Sequence, residues 1–227
     1  MEPKSWTNKP AFPSHKIIAK HRARPLGCMV LRRIGVEIRG SSLLLQAMKK
    51  LKITEMERLT TEAFRRETKL PIVVVLDDVR SMNNVGSVFR TADAFRLEGL
   101  VLCGITARPP HPDIHKTALG AEDSVAWTYA ADSVEAVREL RAAGYEVLAL
   151  EQAHDSVSLE TFVPQPGVRY ALVLGNEVRG VRDEVMAEVT ISLEIPQHGT
   201  KHSLNVSVAA GIALWQLAAP LLPTLRR

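Results

Sequence analysis

From residue 71 onward, short apolar runs alternate with segments of helical periodicity, and this alternation constrains the fold more than any other feature. The first run, residues 72–76, reads IVVVL. Short continuous runs of this kind predict strands that are buried on both faces. Further strands are predicted at residues 100–103, 125–129, 146–150, 170–174 and 190–195. Together they predict an α/β fold, a mostly parallel sheet with helices on both faces.

Two of the intervening segments carry clear helix signals. The helix after the first strand has an apolar face made of Val88, Phe89, Ala92 and Phe95. Asn84 is a candidate for its N-cap. A later helix is predicted to begin at Asp132, which is followed three residues on by Glu135, and to end at Gly144.

The first 70 residues differ in charge from the rest. They hold 16 Lys and Arg against 6 Asp and Glu, whereas residues 71–227 hold 13 against 19. Residues 1–40 carry nine of those basic residues and four prolines, which predicts an extended basic arm. Such an arm is suited to a polyanion because phosphate contacts release counterions, although a solvated tail explains the charge equally well.

Three regions follow from this pattern. Residues 1–40 are the arm, residues 41–69 a short helical segment with helices over 41–50 and 54–68, and residues 70–227 the main domain. The start of the chain has no signal-peptide pattern, and no run of about 18 apolar residues could span a membrane. Cys28 and Cys103 fit no metal-ligand spacing and predict free thiols. We therefore expect a soluble protein of the reducing cytoplasm.

Metal chemistry is not favoured by the histidines. The pairs His111/His115 and His198/His202 each lie four residues apart, as ligands on one helix face would. No Glu completes an H-E-x-x-H arrangement, however, and Pro112 or Gly199 interrupts the first turn. The sequence predicts no metal site.

Two polar segments directly follow apolar runs, where the loops of an α/β sheet form ligand sites. The first spans residues 77–90 and contains Asn84, Gly86 and Arg90. Its simpler interpretation is a capped helix with a surface arginine. The second contains Gly175, where a ligand could approach the backbone, and Glu177, which could bind a ligand or cap the next helix.

A third polar segment precedes a long apolar helix near the C-terminus. Ser203, Asn205 and Ser207 stand in its opening turns. Such side chains compete with the helix backbone for hydrogen bonds, so their presence points to capping or to a ligand.

The three segments together resemble the motifs of the SpoU/TrmH family of SPOUT methyltransferases. They read N-x-G-x-x-x-R at residues 84–90, L-V-L-G-N-E at 172–177, and I-P-x-x-G at 195–199 followed by S-L-N-V-S-V-A. They occur in family order between residues 70 and 219. The resemblance implies a C-terminal trefoil knot, S-adenosylmethionine as cofactor, and a homodimer with the site assembled across it.

The resemblance also assigns residues. Gly175, Ile195 and Leu204 are expected to contact the cofactor, largely through backbone atoms. The expected catalytic neighbourhood is Asn84, Arg90, Glu177, Ser203 and Asn205. In the family the arginine is proposed as the base, but a guanidinium is a poor base, so phosphate binding and stabilisation of the developing alkoxide suit it better. His202 is an outside candidate for the base because imidazole titrates near neutrality, although a solvated loop histidine is the simpler interpretation.

The implied reaction is methylation of a ribose 2′-hydroxyl in transfer or ribosomal RNA. Two alternatives stay open: a non-catalytic RNA-binding protein that keeps the fold, and a methyltransferase that acts on a base. The resemblance does not reach residues 1–69, and it does not say which RNA or which nucleotide is the substrate.

Overall fold

The computed structural model describes residues 49–56 and 58–225. The chain divides into two compact units, Met1–Glu55 and Met56–Arg227. Of the first unit the structure describes only residues 49–55, which include a 3-10 turn at Ile53–Glu55. The predicted arm, Cys28 and nearly all of the helix predicted over residues 41–50 lie outside the described residues.

One seven-stranded sheet forms the centre of the second unit, and every strand pairing in it is parallel. The strand order is β3-β2-β1-β6-β4-β7-β5. All six predicted strands are present, and the two-residue β5 is an addition. The strands are β1 (Leu70–Asp77), β2 (Leu97–Cys103), β3 (Trp127–Ala130), β4 (Tyr145–Leu150), β5 (Val157–Ser158), β6 (Arg169–Leu174) and β7 (Ile191–Glu194).

Helices cover both faces of the sheet, as predicted. They are α1 (Thr61–Arg66), α2 (Met82–Ala94), α3 (Pro112–Ala118), α4 (Ala121–Ser124), α5 (Ser133–Ala142), α6 (Asp183–Met186) and α7 (Val206–Ala218), followed by a 3-10 turn at Leu222–Thr224. Along β1, Ile72 and Val74 join a core shared with α2, α3 and α7, whereas Val73 and Val75 join a core shared with α5 and α6. Burial on both faces explains the continuous apolar strands.

The predicted ends of α5 are confirmed, whereas the predicted N-cap of α2 is not. Asp132 caps α5 by accepting a hydrogen bond from the Val134 N–H, and Gly144 follows the helix in a left-handed conformation with φ 86°. For α2 the predicted cap is wrong. Ser81 is the N-cap, and its hydroxyl accepts from the Asn84 N–H at 3.4 Å. Asn84 lies inside the first turn, which leaves its side chain available for other contacts.

The helix predicted over residues 54–68 is shorter than expected. It forms only as α1, after Thr60, whose hydroxyl accepts from the Ala63 N–H. Within it Phe64 is buried in the main core. Met56 and Leu59, which suggested a longer helix, are exposed. Because a short helix depends on packing, the α-helix is confined to the part that contributes Phe64 to the core.

Two of the helices, α2 and α7, lie side by side and run parallel. Asn84 contacts Asn205 at their N-terminal ends, and the rings of Phe95 and Trp215 lie 5.8 Å apart at their C-terminal ends. On its other side α2 packs closely on α3, since a Cβ added at Gly86 would lie 2.2 Å from the Thr117 hydroxyl. This packing fixes the first polar segment beside the third.

Candidate active site

A cavity of about 470 Å³ opens at the carboxyl ends of β4, β6 and β7. It is bordered by the second and third polar segments, while the first lies next to them because β1 is the neighbour of β6. Its lining is apolar in part and carries several carboxylates. Its walls are formed by Leu150, Glu151, Leu174, Gly175, Glu177, Arg179, Gly180, Leu193, Glu194, Ile195, His202, Ser203, Leu204 and Asn205, among others.

Glu177 joins the second segment to the first. Its carboxylate accepts hydrogen bonds from the backbone N–H groups of Arg80 and Ser81 and from the Asn84 side-chain amide, each at 2.9 Å. Burial alone would raise the pKa of Glu177, but these three donors favour the ionised form and hold the pKa below its ordinary value. Glu177 therefore does not cap the helix that follows it.

Asn84 carries the connection on to the third segment. This residue is buried, and its Oδ1 accepts from Asn205 Nδ2 at 3.1 Å. Asn205 in turn caps α7, because its Oδ1 accepts from the Ser207 N–H at 3.0 Å and from the Ser207 hydroxyl at 2.7 Å. A continuous hydrogen-bonded chain, Glu177–Asn84–Asn205, thus ties the three segments together beside the cavity.

The loop after β6 owes its shape to two glycines. A Cβ on Gly175 would lie 2.1 Å from the backbone of Gly180, so the loop can close only if Gly175 has no side chain. The closed loop is held by backbone hydrogen bonds between Asn176 and Gly180, and by the Asn176 amide, which donates to the Asp78 carbonyl at 2.8 Å. Residues 175–180 of this closed loop line the cavity.

The remaining cofactor candidates also line the cavity. Ile195 directly follows β7 and is half-buried, and Leu204 is 38% exposed. Ser203 and His202 lie beside them and are exposed. The main-chain oxygen of His202 accepts from the Gln152 side chain at 3.0 Å, which holds the third segment against the end of β4.

Arg90 is not brought to the cavity within one chain. It lies on α2, almost two turns beyond Asn84, and its side chain is exposed. It makes no hydrogen bond or ion pair with any of the residues that the structure describes. Seven of the eight predicted site residues therefore cluster at the cavity or on the hydrogen-bonded chain beside it, and Arg90 stands apart.

The sequence patterns did not predict an ion-pair network around the buried Asp77, close to the loop that follows β6. Asp77 ends β1 and is fully buried. It accepts from the Arg182 backbone N–H at 3.1 Å and from Arg182 Nε at 3.1 Å, while Arg182 Nη2 donates to Asp132 at 2.8 Å. The only available signal was a carboxylate at the end of an apolar strand. Burial, with a further contribution from Asp77, raises the pKa of the nearby Cys103 thiol to about 12.

The rings of two of the four histidines that form i, i+4 pairs have hydrogen-bond partners among the described residues. His111 caps α3 by accepting from the Asp113 N–H at 3.2 Å, and His115 Nδ1 lies 2.5 Å from a Glu122 carboxylate oxygen. Within residues 49–56 and 58–225, no group of three or more His, Cys, Asp or Glu is arranged to hold a metal ion. In the same part of the chain no helix is both long and apolar enough to cross a membrane.

A parallel sheet with a cavity beyond its strand ends and polar loops around that cavity defines an α/β protein built to bind a small ligand. The profile of the SpoU rRNA Methylase family matches residues 71–215. The chain belongs to this family, which confirms the resemblance drawn from the three motifs.

Among its relatives is the 23S rRNA (guanosine-2′-O-)-methyltransferase RlmB of Nitrosomonas europaea, 31% identical over 167 residues, covering 72% of this chain and 63% of the relative. An uncharacterised tRNA/rRNA methyltransferase of Archaeoglobus fulgidus is 30% identical over 147 residues, with 64% and 63% covered. The chain thus spans less than two thirds of the length of these relatives.

A solved structure gives a similar result. The AdoMet-bound rRNA methyltransferase from Sinorhizobium meliloti superposes with a TM-score of 0.60 at 31% identity, covering 69% of this chain and 58% of that one. The TrmH/SpoU tRNA modifying enzyme of A. aeolicus gives a TM-score of 0.64 at 23% identity, covering 73% and 86%, a likeness of fold alone.

Proposed function

We propose that this protein transfers a methyl group from S-adenosylmethionine to a ribose 2′-hydroxyl of a transfer or ribosomal RNA. The observation that carries the proposal is the hydrogen-bonded chain Glu177–Asn84–Asn205 beside the cavity. It joins one polar residue from each of the three motif segments. The polar positions of all three segments are intact, which favours an enzyme over a non-catalytic RNA-binding protein.

The cavity suits the cofactor. Its volume of about 470 Å³ lies in the range of small-molecule sites, roughly 300–1,000 Å³. Gly175, Ile195 and Leu204 would hold the cofactor, with the closed loop presenting backbone atoms to it. When bound, S-adenosylmethionine supplies an electrophilic methyl group. No metal or other cofactor is proposed, so calorimetry should give the same binding heat with and without EDTA.

The catalytic roles follow from chemistry. Methyl transfer needs an aligned nucleophilic oxygen and removal of its proton. Asn84, Glu177, Ser203 and Asn205 would position the ribose at the mouth of the cavity. Arg90, free of ionic partners among the described residues, would bind the target phosphate and stabilise the developing alkoxide. His202 lines the cavity and is the second candidate for the base.

A homodimer would bring Arg90 to a cavity. Helix α7 is mostly apolar, yet Val208, Ile212 and Trp215 are 52%, 42% and 54% exposed. These three side chains, one helical turn apart, form a stripe (the α7 stripe) that a second copy of this chain would cover. Because α2 lies beside α7, the same contact would place Arg90 near the partner subunit.

The remaining proposals rest on family membership and composition. The C-terminal part of residues 70–227 would thread through a loop as a trefoil knot, and residues 41–69 would connect this domain to the arm. The arm, residues 1–40, would supply sequence-independent affinity for RNA through its nine basic residues. We place the protein in the cytoplasm, where its RNA substrates and a reducing environment are found.

One experiment separates the candidate functions. Ribose methylation is mapped across total RNA from cells with and without the gene, and the purified protein with labelled S-adenosylmethionine is then added to RNA from the deletion strain. We expect one or a few 2′-O-methyl sites to disappear and to be restored. Label on a base would indicate the base methyltransferase instead, and RNA binding with no incorporation the non-catalytic alternative.

A further inference from the structure

Glu151 lies at the cavity although no motif contains it. It directly follows β4, and neighbouring elements fix its backbone. Its N–H donates to the Leu193 carbonyl at 3.0 Å, and its own carbonyl accepts from the Ser192 hydroxyl at 3.0 Å. The position of its side chain is therefore set by the sheet rather than by a mobile loop.

The carboxylate of Glu151 is held by two backbone groups. One oxygen accepts from the Val181 N–H and the other from the Gln152 N–H, both at 2.9 Å. Each oxygen of an ionised carboxylate can accept more than one hydrogen bond. Because the residue is half-buried in the wall of the cavity, both oxygens keep acceptor capacity for a ligand.

Gly180 makes this placement possible. It has φ 70°, and a Cβ added to it would lie 2.2 Å from a Glu151 carboxylate oxygen. The glycine therefore does two things: it allows the left-handed turn that closes the loop, and it leaves room for the carboxylate. An acceptor fixed in this way meets the requirement for precise ligand contacts, since little conformational entropy is lost on binding.

We propose that Glu151 binds the cofactor directly, its carboxylate accepting a hydrogen bond from a ribose hydroxyl or from the ammonium group of S-adenosylmethionine. The inference rests on the proposed function, because the donors belong to that cofactor. Dinucleotide-binding α/β folds use a carboxylate on the ribose in a similar way. If Glu151 only held the loop closed, its loss would weaken every cofactor analogue equally.

The test is calorimetry with S-adenosylhomocysteine and its analogues that lack the 2′-hydroxyl, the 3′-hydroxyl or the amino group. They are titrated into the unaltered protein, Glu151→Gln, and the control Glu160→Gln, an exposed carboxylate that is not part of the cavity lining. Glu151→Gln should weaken S-adenosylhomocysteine binding by about tenfold or more. At least one analogue should bind the unaltered protein about as weakly as S-adenosylhomocysteine binds Glu151→Gln. The affinity of that analogue should not fall further when Glu151 is replaced.

The analogue that shows this coupling identifies the donor as hydroxyl or ammonium. The proposal would be overturned if Glu151→Gln lowered the affinity for every analogue by the same factor as for S-adenosylhomocysteine. It would also be overturned if Glu151→Gln had no effect on affinity. Should that variant not fold, a crystal structure of the unaltered protein with S-adenosylhomocysteine decides: a ligand donor within about 3.2 Å of the carboxylate supports direct binding, and none within that distance overturns it. Failure of the unaltered protein to bind any of these compounds would contradict the proposed function itself.

Discussion

Glu177 shows how one side chain can organise several loops. As an ionised carboxylate it accepts from two backbone N–H groups of the loop after β1 and from Asn84. Hydrogen bonds to a charged group are among the stronger ones, and a buried donor left without its acceptor is costly. Glu177 is therefore expected to matter for stability as well as for the arrangement of the site.

Replacing Glu177 with Gln should lower the free energy of unfolding by about 1–3 kcal/mol, because one of the two oxygens becomes an amide that cannot accept. The pKa of Glu177 lies below its ordinary value of 4.5 in the folded state. Its stabilising contribution is thus complete above about pH 4.5 and is lost as the pH falls through the lowered folded pKa. Denaturant unfolding at several pH values measures this contribution. The loss of unfolding free energy at acid pH should be smaller for Glu177→Gln than for the unaltered protein. The exposed Glu184→Gln should show the same loss as the unaltered protein.

Arg90→Ala should reduce methyl transfer by about 10²-fold or more, because a cation that stabilises developing charge is removed. Cofactor affinity should stay nearly unchanged, since Arg90 does not line the cavity. Single-turnover assays and calorimetry measure the two quantities, with Arg66→Ala as the control for an exposed arginine of α1. A large loss of cofactor affinity would mean that Arg90 belongs to the cofactor pocket.

The sequence predicts which side chains form the site better than it predicts their partners. Motif positions point to Asn84, Glu177 and Asn205 as candidate site residues. Their hydrogen-bond partners lie 93 and 121 residues away and depend on how the strands are ordered. Reasoning from the neighbouring sequence alone therefore predicts Asn84 as the N-cap of α2, whereas the N-cap is Ser81.

At the level of helices and strands, prediction succeeds where packing and periodicity agree. Apolar runs predict six of the seven strands, and burial on both faces explains these runs in the central strands β1, β4 and β6. Strands β3 and β7 are only partly buried. The two-residue β5 has no period to detect. The helix expected over residues 54–68 is shorter than predicted, because its periodic residues Met56 and Leu59 are exposed and do not join the described core.

The contact between α2 and α3 depends on Gly86. A methyl group there would lie 2.2 Å from the Thr117 hydroxyl and 2.3 Å from the Ile114 carbonyl oxygen. Gly86→Ala should therefore lower the free energy of unfolding by about 1–3 kcal/mol despite the better helix propensity of Ala. Thermal and denaturant unfolding measure this. Ser87→Ala, the adjacent position on the same helix, should change stability by less than about 1 kcal/mol. A stabilised Gly86→Ala would show that the two helices can separate without cost.

The proposed dimer can be tested through the α7 stripe. A charge at Ile212 would be buried in each half of a two-fold interface, so Ile212→Glu should give monomers at micromolar concentration in sedimentation equilibrium. Ile105→Glu, at a side chain that is 64% exposed on a loop, should leave the association unchanged. If the unaltered protein were monomeric, the proposed dimer would be contradicted. The placement of Arg90 near a cavity would then need another explanation.

The basic arm makes a prediction for RNA affinity. Deleting residues 1–40 should leave cofactor binding and association intact, because the three motifs begin after residue 70. If about five of its charges reach phosphates, the plot of log affinity against log salt should flatten by roughly four to five units. An unchanged slope together with a lower melting temperature would instead indicate that the arm stabilises the main domain.

The long reach of the chain Glu177–Asn84–Asn205 also bears on how the protein is made. Its links join residues 93 and 121 positions apart, and such distant contacts form only after the loops between them have closed. A nascent chain released up to Glu177 contains strands β1 to β6 and Glu177 itself, but it lacks Asn205, the second partner of Asn84. Most of the sheet is therefore synthesised before residue 205, and under the proposed function the growing protein could not methylate RNA until that residue has emerged.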